Sequence, residues 1–290
     1  MRLAILDQLW QSAGMGDIKL EKLSESVGAE IYGIDTDRLL NDEALPAQIL
    51  EALDGHGALV IRDLHLDDVT QVAFSKKLGR VEVLGRGEHP EIFRVTLDPA
   101  KNPAASYLRG TFDWHIDGMT EDIPIMATLL SAHAVATSGG ETEFASTYAA
   151  YDDLSDEEKD RFLRLRVVHT FERSQRLVNN NPTPEELALW RKRAPKDHPL
   201  VWTHRSGRRS LVLGATATEV VGMEADAGEA LLAELLARAT APECIYRHDW
   251  TVGDLVIWDN RGVLHRACRY EPTSPRDMHR TTLYGDEPVQ

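Results

Sequence analysis

The sequence is poor in cysteine and has no long apolar run. Its 290 residues include only two cysteines, Cys244 and Cys268, which are too few for a disulfide framework and whose spacing fits no zinc motif. This scarcity is typical of the reduced cytoplasm, where we expect the protein to reside. No stretch reaches the roughly 18 apolar residues that a membrane-spanning helix needs. Asp7 also interrupts the apolar N-terminus too early for a secretory signal.

Basic residues are also in short supply. The chain has 32 lysines and arginines against 47 aspartates and glutamates, which gives a formal net charge of −15. Such an acidic surface argues against tracking along a nucleic-acid backbone and against binding to anionic membranes. A local basic pocket for a small anion is compatible with it, because net charge says little about a single cleft. We therefore expect neither nucleic acid nor membrane as a partner.

The remaining composition is typical of one globular domain. Apolar residues make up 42% of the chain and charged residues 27%, which is enough apolar material for a core. We find no internal repeat and no break in composition, so we expect a single domain over residues 1–290, with 1–16 as a short leader. The segment 174–200 contains four prolines and three consecutive asparagines, which is typical of a mobile loop or lid.

Hydrophobic periodicity predicts a mixed α/β chain that is mainly β. Short or alternating apolar runs predict strands, and helical spacing predicts helices. The predicted strands cover residues 27–34, 57–61, 127–132, 142–145, 255–258 and 283–284. The predicted helices cover residues 43–53, 67–78, 149–165 and 229–239, the second of them capped by Asp67 or Asp68. Short strands separated by turns indicate a double-stranded β-helix (jelly roll) core that carries helical insertions.

Two histidines and an aspartate form a candidate metal site. In an extended segment, His115 and Asp117 lie on the same side of the chain. His265, which follows the predicted strand at 255–258, would add a second imidazole. Two histidines and one carboxylate leave several coordination positions open, which suits non-haem Fe(II) and O₂. Taken alone, each residue is more typical of an incidental pair or of a hydrogen-bonded core histidine.

Two arginines follow His265. If residues 277–283 are extended, Arg276 and Arg280 lie on one face of the chain. Two guanidinium groups on the side of the metal could bind carboxylates in a fork. Either arginine in isolation is more typical of a solvated surface.

The order of these motifs is more specific than any one of them. His-x-Asp comes first, then Gly-Gly-Glu-Thr-Glu-Phe at 139–144, then Trp-Asp-Asn-Arg at 258–261 with His265, and then the two arginines. This order resembles the TauD/TfdA family of Fe(II)/2-oxoglutarate-dependent dioxygenases over about residues 27–288. The segments 231–240 and 246–261 are similar to its TfdA branch, which includes aryloxyalkanoate dioxygenases.

The resemblance implies a role for individual residues. It implies that His115, Asp117 and His265 are the iron ligands and that Thr142 and Arg276 bind the far carboxylate of 2-oxoglutarate. Arg280 matches the arginine that holds an organic anion in taurine enzymes. The taurine pattern has an asparagine four residues before the first ligand, where this chain has Thr111, so taurine is disfavoured as the substrate. We expect further substrate contacts from the residues that precede the ligands: Tyr107, Arg109, Thr111 and Phe112.

The implied activity is hydroxylation of a C–H bond in a small anionic organic molecule. Fe(II) would be the cofactor, 2-oxoglutarate and O₂ the cosubstrates, and succinate and CO₂ the coproducts. The first choice of substrate is an aryloxy- or alkyl-carboxylate, in which hydroxylation beside an ether oxygen would lead to C–O cleavage. An alkyl sulfate or sulfonate is the second choice. The retained carboxylate of Asp117 favours hydroxylation over halogenation, and a homo-oligomer (dimer or tetramer) is the expected assembly.

Two alternatives belong to other classes. A zinc-type metallohydrolase also uses histidines and a carboxylate around a metal with an open position, but it leaves the paired arginines and Thr142 without a task. A metal-free binding module on the same scaffold is the other alternative, and the complete ligand set argues against it.

Overall fold

The computed structural model describes residues 17–84 and 88–290, so the predicted leader at 1–16 lies outside the described residues. The strands are β1 (Lys19–Lys22), β2 (Ala29–Tyr32), β3 (Ala58–Ile61), β4 (Phe93–Val95), β5 (Ala127–Ala134), β6 (Thr142–Ser146), β7 (Arg166–His169), β8 (Lys196–Pro199), β9 (Val201–Thr203), β10 (Arg209–Leu211), β11 (Ala217–Val220), β12 (Ile245–His248), β13 (Leu255–Asp259), β14 (Val263–Ala267) and β15 (Asp277–Leu283). The helices are α1 (Thr36–Asn41), α2 (Leu45–His56), α3 (Asp68–Leu78), α4 (Thr147–Asp152), α5 (Asp156–Phe162), α6 (Phe171–Arg176), α7 (Pro184–Trp190) and α8 (Ala225–Ala239), with 3₁₀ turns at Tyr107–Phe112 and Pro242–Cys244. The chain is therefore mixed α/β and rich in sheet.

A seven-stranded sheet draws its strands from almost the whole described chain. Its order is β1-β2-β3-β13-β5-β15-β4, and all neighbours are antiparallel except β2 and β3. The central strand β13 is buried along its full length. This burial agrees with its nearly continuous apolar sequence, because a strand covered on both faces does not alternate.

A smaller sheet of order β12-β6-β14 shares a core with the large one. Phe144 and Val263 of the small sheet belong to the same buried cluster as Val60, Val256 and Met278 of the large sheet. Apolar side chains from the two sheets therefore remove each other from water, and this burial holds the two sheets together.

The predicted strands at 127–132 and 142–145 are confirmed, but they lie in different sheets. The glycine turn between them carries the chain from β5 to β6. Gly139 has φ +71° and Gly140 has φ +79°, and a Cβ on Gly139 would collide with the Arg269 carbonyl oxygen. Only glycine fits such a backbone without strain, and the turn places Thr142 at the first position of β6.

The other predicted elements divide into confirmed and corrected ones. Helix α3 is capped at its N-terminus by Asp67, whose side chain accepts from the Thr70 N–H. The single helix predicted over 149–165 is wrong: α4 and α5 replace it, because Ser155 makes a capping box with Glu158 and starts a new helix.

The segment 174–200 is not a structureless loop, since it contains α7 and β8, and its motion stays a prediction. The described part of the chain contains no helix long and apolar enough to cross a bilayer.

Candidate functional site

His115, Asp117 and His265 meet beside β14, the edge strand of the small sheet. The two histidines form an isolated antiparallel bridge, in which His115 N donates to His265 O at 3.1 Å and His265 N donates to His115 O at 2.9 Å. His115 Nε2 lies 3.7 Å from Asp117 Oδ1, and His265 Nε2 lies 3.8 Å from Asp117 Oδ2. The predicted extended segment at 115–117 is corrected to one bridge residue followed by a turn, which is what aims the carboxylate back at the imidazoles.

Hydrogen bonding and burial prepare these side chains to bind a cation. His115 Nδ1 lies 2.9 Å from the Asp113 carbonyl oxygen, which can only accept, so Nδ1 carries the proton and Nε2 is left with its lone pair. Burial, together with the neighbouring His115, lowers the pKa of His265 to about 3, and its ring is therefore neutral near pH 7. Burial alone would raise the pKa of Asp117, but Arg280 and the two histidines outweigh it and hold that pKa below its ordinary value.

The donor set fits a divalent transition metal. One ligand atom from each of the three side chains lies within 4.8 Å of the others. Two imidazoles and one carboxylate are the ligands that Fe(II) takes in a facial triad, with the opposite positions left open.

Arg276 is a buried cation with spare hydrogen-bonding capacity. It is 2% exposed and donates from Nε to the Gly140 carbonyl at 3.1 Å, while its Nη1 has no partner among the described residues. Its guanidinium stacks on the Tyr270 ring at 4.9 Å, and burial lowers its pKa. A desolvated guanidinium of this kind is stabilised by a carboxylate ligand.

Thr142 lies beside Arg276 in the wall of the same cavity. Its hydroxyl oxygen accepts from Trp250 Nε1 at 2.9 Å. Since an indole N–H can only donate, the hydroxyl hydrogen of Thr142 stays available for an acceptor in the cavity. Sequence analysis did not identify Trp250 as a site residue, because a single tryptophan after a strand does not indicate a binding role.

The Arg280 side chain extends from β15 towards the three candidate ligands. Its Nη1 lies 3.5 Å from Asp117 Oδ2, its guanidinium lies 4.9 Å from the Phe93 ring centre, and its buried Nε has no partner in the part of the chain that the structure describes. Arg276 and Arg280 both line the cavity next to His115 and His265. The structure thus brings the two arginines to the side of the candidate ligands, and their roles stay predictions.

The four residues predicted to contact substrate lie in different parts of the structure. Thr111 lines the cavity that contains His115 and His265 (the metal cavity below), and its hydroxyl donates to Leu108 O at 2.7 Å. Tyr107 and Arg109 line a separate cavity of about 660 Å³ that Trp190 of α7 also borders. Phe112 packs edge-on against Tyr270, with ring centres 5.8 Å apart. Sequence analysis missed Val95 and Leu108, apolar residues in the wall of the metal cavity.

A second cluster, made of Asp68, His133 and His279, is a poorer candidate for a metal. Its ligand atoms also lie within 4.8 Å of one another. The two imidazoles are stacked, however, with ring centres 3.7 Å apart and planes 19° apart, so their lone pairs run side by side rather than towards one point. His279 Nδ1 is already paired with Asp68 Oδ1 at 2.5 Å.

Comparisons with known proteins agree with this geometry. A family model described as "Taurine catabolism dioxygenase TauD, TfdA family" matches residues 19–282. The chain is 36% identical over 259 residues to an alpha-ketoglutarate-dependent 2,4-dichlorophenoxyacetate dioxygenase of Burkholderia sp. (strain RASC). The alignment covers 83% of this chain and 86% of the relative. It is 30% identical over 287 residues to an alpha-ketoglutarate-dependent sulfate ester dioxygenase of Pseudomonas putida, covering 94% and 91% of the two chains.

A solved structure of AAD-2 in complex with Mn(II) and N-oxalylglycine superposes with a TM-score of 0.79. That structure is 33% identical in sequence and covers 94% of this chain and 99% of its own. The oxygenase prediction is confirmed by these matches, and neither the hydrolase nor the binding module is favoured. The chain belongs to the TauD/TfdA family of dioxygenases.

Proposed function

We propose that this 2-oxoglutarate-dependent dioxygenase hydroxylates a C–H bond of a small anionic organic molecule, with an aryloxy- or alkyl-carboxylate as the first choice. The observation that carries the proposal is the convergence of His115, Asp117 and His265 with two arginines on one cavity. We assign Fe(II) to the three ligands. When bound there, iron with 2-oxoglutarate and O₂ supplies the oxidising chemistry, and the chain supplies binding, orientation and exclusion of water.

Arg276 and Thr142 are the proposed anchors of the far carboxylate of 2-oxoglutarate. Arg276 offers a buried guanidinium with a free N–H edge, and Thr142 offers a hydroxyl hydrogen that Trp250 leaves available. Hydrogen bonds of this kind are strong because the donor or the acceptor is ionised and because the Arg276 side chain is buried. They would fix the keto-acid end of the cosubstrate at the three ligands.

Arg280 is the proposed contact for the organic anion. Its guanidinium lies beside Asp117 and over Phe93, and Val95 and Leu108 supply an apolar wall in the same cavity. A cation next to apolar surface suits a molecule with one anionic end and one apolar body. The relatives named for 2,4-dichlorophenoxyacetate, at 36% identity, and for (S)-phenoxypropionate, at 31%, act on molecules of this shape.

An alkyl sulfate or sulfonate is the second candidate. The relative named as a sulfate ester dioxygenase is 30% identical over 94% of this chain. A guanidinium can donate to two oxygens of a sulfate or sulfonate, as it does to the two oxygens of a carboxylate, because each of these anions presents more than one acceptor. Arg280 therefore selects for a negative charge and leaves the two classes of anion to be separated by the rest of the cavity.

The finer points of the architecture are proposals as well. The core that the large and small sheets share supports a double-stranded β-helix (jelly roll), and it supports treating residues 1–290 as one domain. We propose a homo-oligomer in the cytoplasm with no nucleic-acid or membrane partner.

Succinate formation tests the function. Purified protein is given Fe(II), ascorbate, 2-oxoglutarate and air, with phenoxyacetates, alkyl carboxylates, alkyl sulfates or taurine as candidate substrates. We expect succinate above the no-substrate blank with an aryloxy- or alkyl-carboxylate, and no succinate with the Asp117→Ala variant. Product released without oxygen uptake would favour the hydrolase, and succinate with sulfates alone would select the second candidate.

A further inference from the structure

Three buried side chains form a hydrogen-bonded chain that ends on Asp117. Trp258 Nε1 lies 3.1 Å from Asn260 Oδ1, and Asn260 Nδ2 lies 2.9 Å from Thr128 Oγ1. Thr128 Oγ1 in turn lies 3.4 Å from Asp117 Oδ2. Thr128 and Asn260 are fully buried and Trp258 is 3% exposed, so the first two links are shielded from water, whereas Asp117 at the end is partly exposed.

The direction of this chain is fixed at its first member. An indole N–H can only donate, so the amide oxygen of Asn260 must face Trp258 and its NH₂ group must face Thr128. Thr128 then accepts from Asn260, and its hydroxyl hydrogen points to the carboxylate of Asp117. Through Asn260 and Thr128, the Trp258 indole therefore determines that Asp117 receives a hydrogen bond from Thr128 rather than facing another acceptor.

The backbone holds this hydrogen-bonded chain of side chains in place at two points. Trp258 lies in β13 and Asn260 directly follows that strand, and the hydrogen bond between them keeps their side chains on one side, whereas Asp259 between them pairs with Arg261 at 2.8 Å. The Asn260 N–H donates to the Met126 carbonyl at 2.9 Å, which brings the amide next to Thr128 at the start of β5.

The carboxylate oxygens of Asp117 are made unequal by these contacts. Oδ2 faces Thr128 at 3.4 Å and Arg280 Nη1 at 3.5 Å. Oδ2 also faces His265 Nε2 at 3.8 Å, and Oδ1 faces His115 Nε2 at 3.7 Å. Oδ2 therefore has the Thr128 hydrogen bond and the nearby Arg280 guanidinium, Oδ1 has neither, and these contacts restrain the rotation of the carboxylate about its own axis.

We propose that Trp258, Asn260 and Thr128 are positioning residues that orient the Asp117 carboxylate for metal binding. The proposal rests on the assignment of Asp117 as a metal ligand under the proposed function. It gives a task to the tryptophan and the asparagine of the Trp-Asp-Asn-Arg motif. Loss of a partner that orients a metal ligand commonly weakens metal binding by about tenfold to a hundredfold.

The test measures Mn(II) affinity by titration calorimetry on the protein without cosubstrate. Thr128→Val removes the hydroxyl at nearly unchanged volume, and Thr128→Ser keeps the hydroxyl. The matched control is Thr282→Val, because Thr282 is paired with Thr128 across β5 and β15, is equally buried, and has a hydroxyl with no hydrogen-bond partner among the described residues. We expect Thr128→Val to weaken Mn(II) binding by about tenfold or more, with Thr128→Ser recovering most of the loss and Thr282→Val unchanged.

A double-mutant comparison separates orientation from packing. Trp258→Phe should weaken Mn(II) binding in the wild-type background and have no further effect in the Thr128→Val background, because the chain is already broken there. An equal effect in both backgrounds would show that Trp258 acts by packing and would overturn the proposal.

Unchanged Mn(II) affinity of folded Thr128→Val would also overturn the proposal while leaving the metal site intact. Wild-type protein that binds no Mn(II), or binds it equally well after His265→Ala, would overturn the assignment of the metal site itself.

Discussion

Replacing Arg276 with methionine should separate folding from cosubstrate binding. Arg276 is 2% exposed, and its Nη1 is buried without a partner among residues 17–84 and 88–290. Methionine has a similar length and no charge. The substitution removes the hydrogen bond to Gly140, which contributes about 1.5–3 kcal/mol for a charged donor. It also removes the desolvation cost of an unpaired buried cation, which has the opposite sign. The free energy of unfolding without cosubstrate should therefore change by no more than about 2 kcal/mol.

Cosubstrate binding should change much more. Truncating one partner of a buried charged pair costs about 2–5 kcal/mol, and about 2 kcal/mol corresponds to roughly thirtyfold in affinity. A ligand at 100 times its Kd stabilises a protein by about 2.7 kcal/mol. At the same ligand concentration, a thirtyfold weaker complex retains only about 0.9 kcal/mol. At about 2 °C per kcal/mol for a chain of this size, the rise in Tm should fall from about 5 °C to about 2 °C.

Thermal denaturation with and without 2-oxoglutarate, in the presence of Mn(II), measures both quantities. The apparent KM for 2-oxoglutarate in the succinate assay should rise in parallel. Arg266→Met is the matched control, since Arg266 is a partly exposed arginine of β14 paired with Glu143 at 2.7 Å, and it should leave the 2-oxoglutarate response unchanged. An undiminished Tm shift in Arg276→Met, or a loss of stability well above about 2 kcal/mol with unchanged affinity for 2-oxoglutarate, would refute the reasoning.

The remaining predictions concern the substrate, the pH dependence and a helix cap. Arg280→Ala should raise the KM of the organic anion and leave the 2-oxoglutarate response intact; equal loss of both would contradict its separate role. Burial lowers the pKa of His169 to about 3 and of His204 to about 4, so the unfolded chain binds more protons below pH 6.5. Stability should therefore fall from pH 6.5 to pH 5 by up to about 3 kcal/mol per unit for the pair, which urea denaturation at several pH values measures; His169→Gln should flatten the slope. Ser155→Ala should cost about 1 kcal/mol by loss of the capping box, with full succinate formation, and a loss of activity at retained stability would argue against a purely structural cap.

The sequence alone predicted which residues form the candidate site. His115, Asp117 and His265, with Arg276 and Arg280 after them, were proposed because iron and carboxylates demand particular side chains and because the order of the motifs resembles that of a known family; their roles stay predictions. It also determined most strands and helices, since local periodicity reports burial: β3, β13, α3 and α8 lie close to where the pattern placed them.

Only the tertiary structure decided which groups touch. The bridge between His115 and His265 depends on the register of β6 and β14, and pairing between segments far apart in the chain leaves no local pattern. The break at Ser155 came from a capping box that competed with helical periodicity over 149–165. Trp250 and Thr128 were not predicted as site residues because their partners, Thr142 and Asp117, are distant in the sequence, and only folding buries each of them beside its partner. That burial is what turns an ordinary tryptophan and an ordinary threonine into parts of the site.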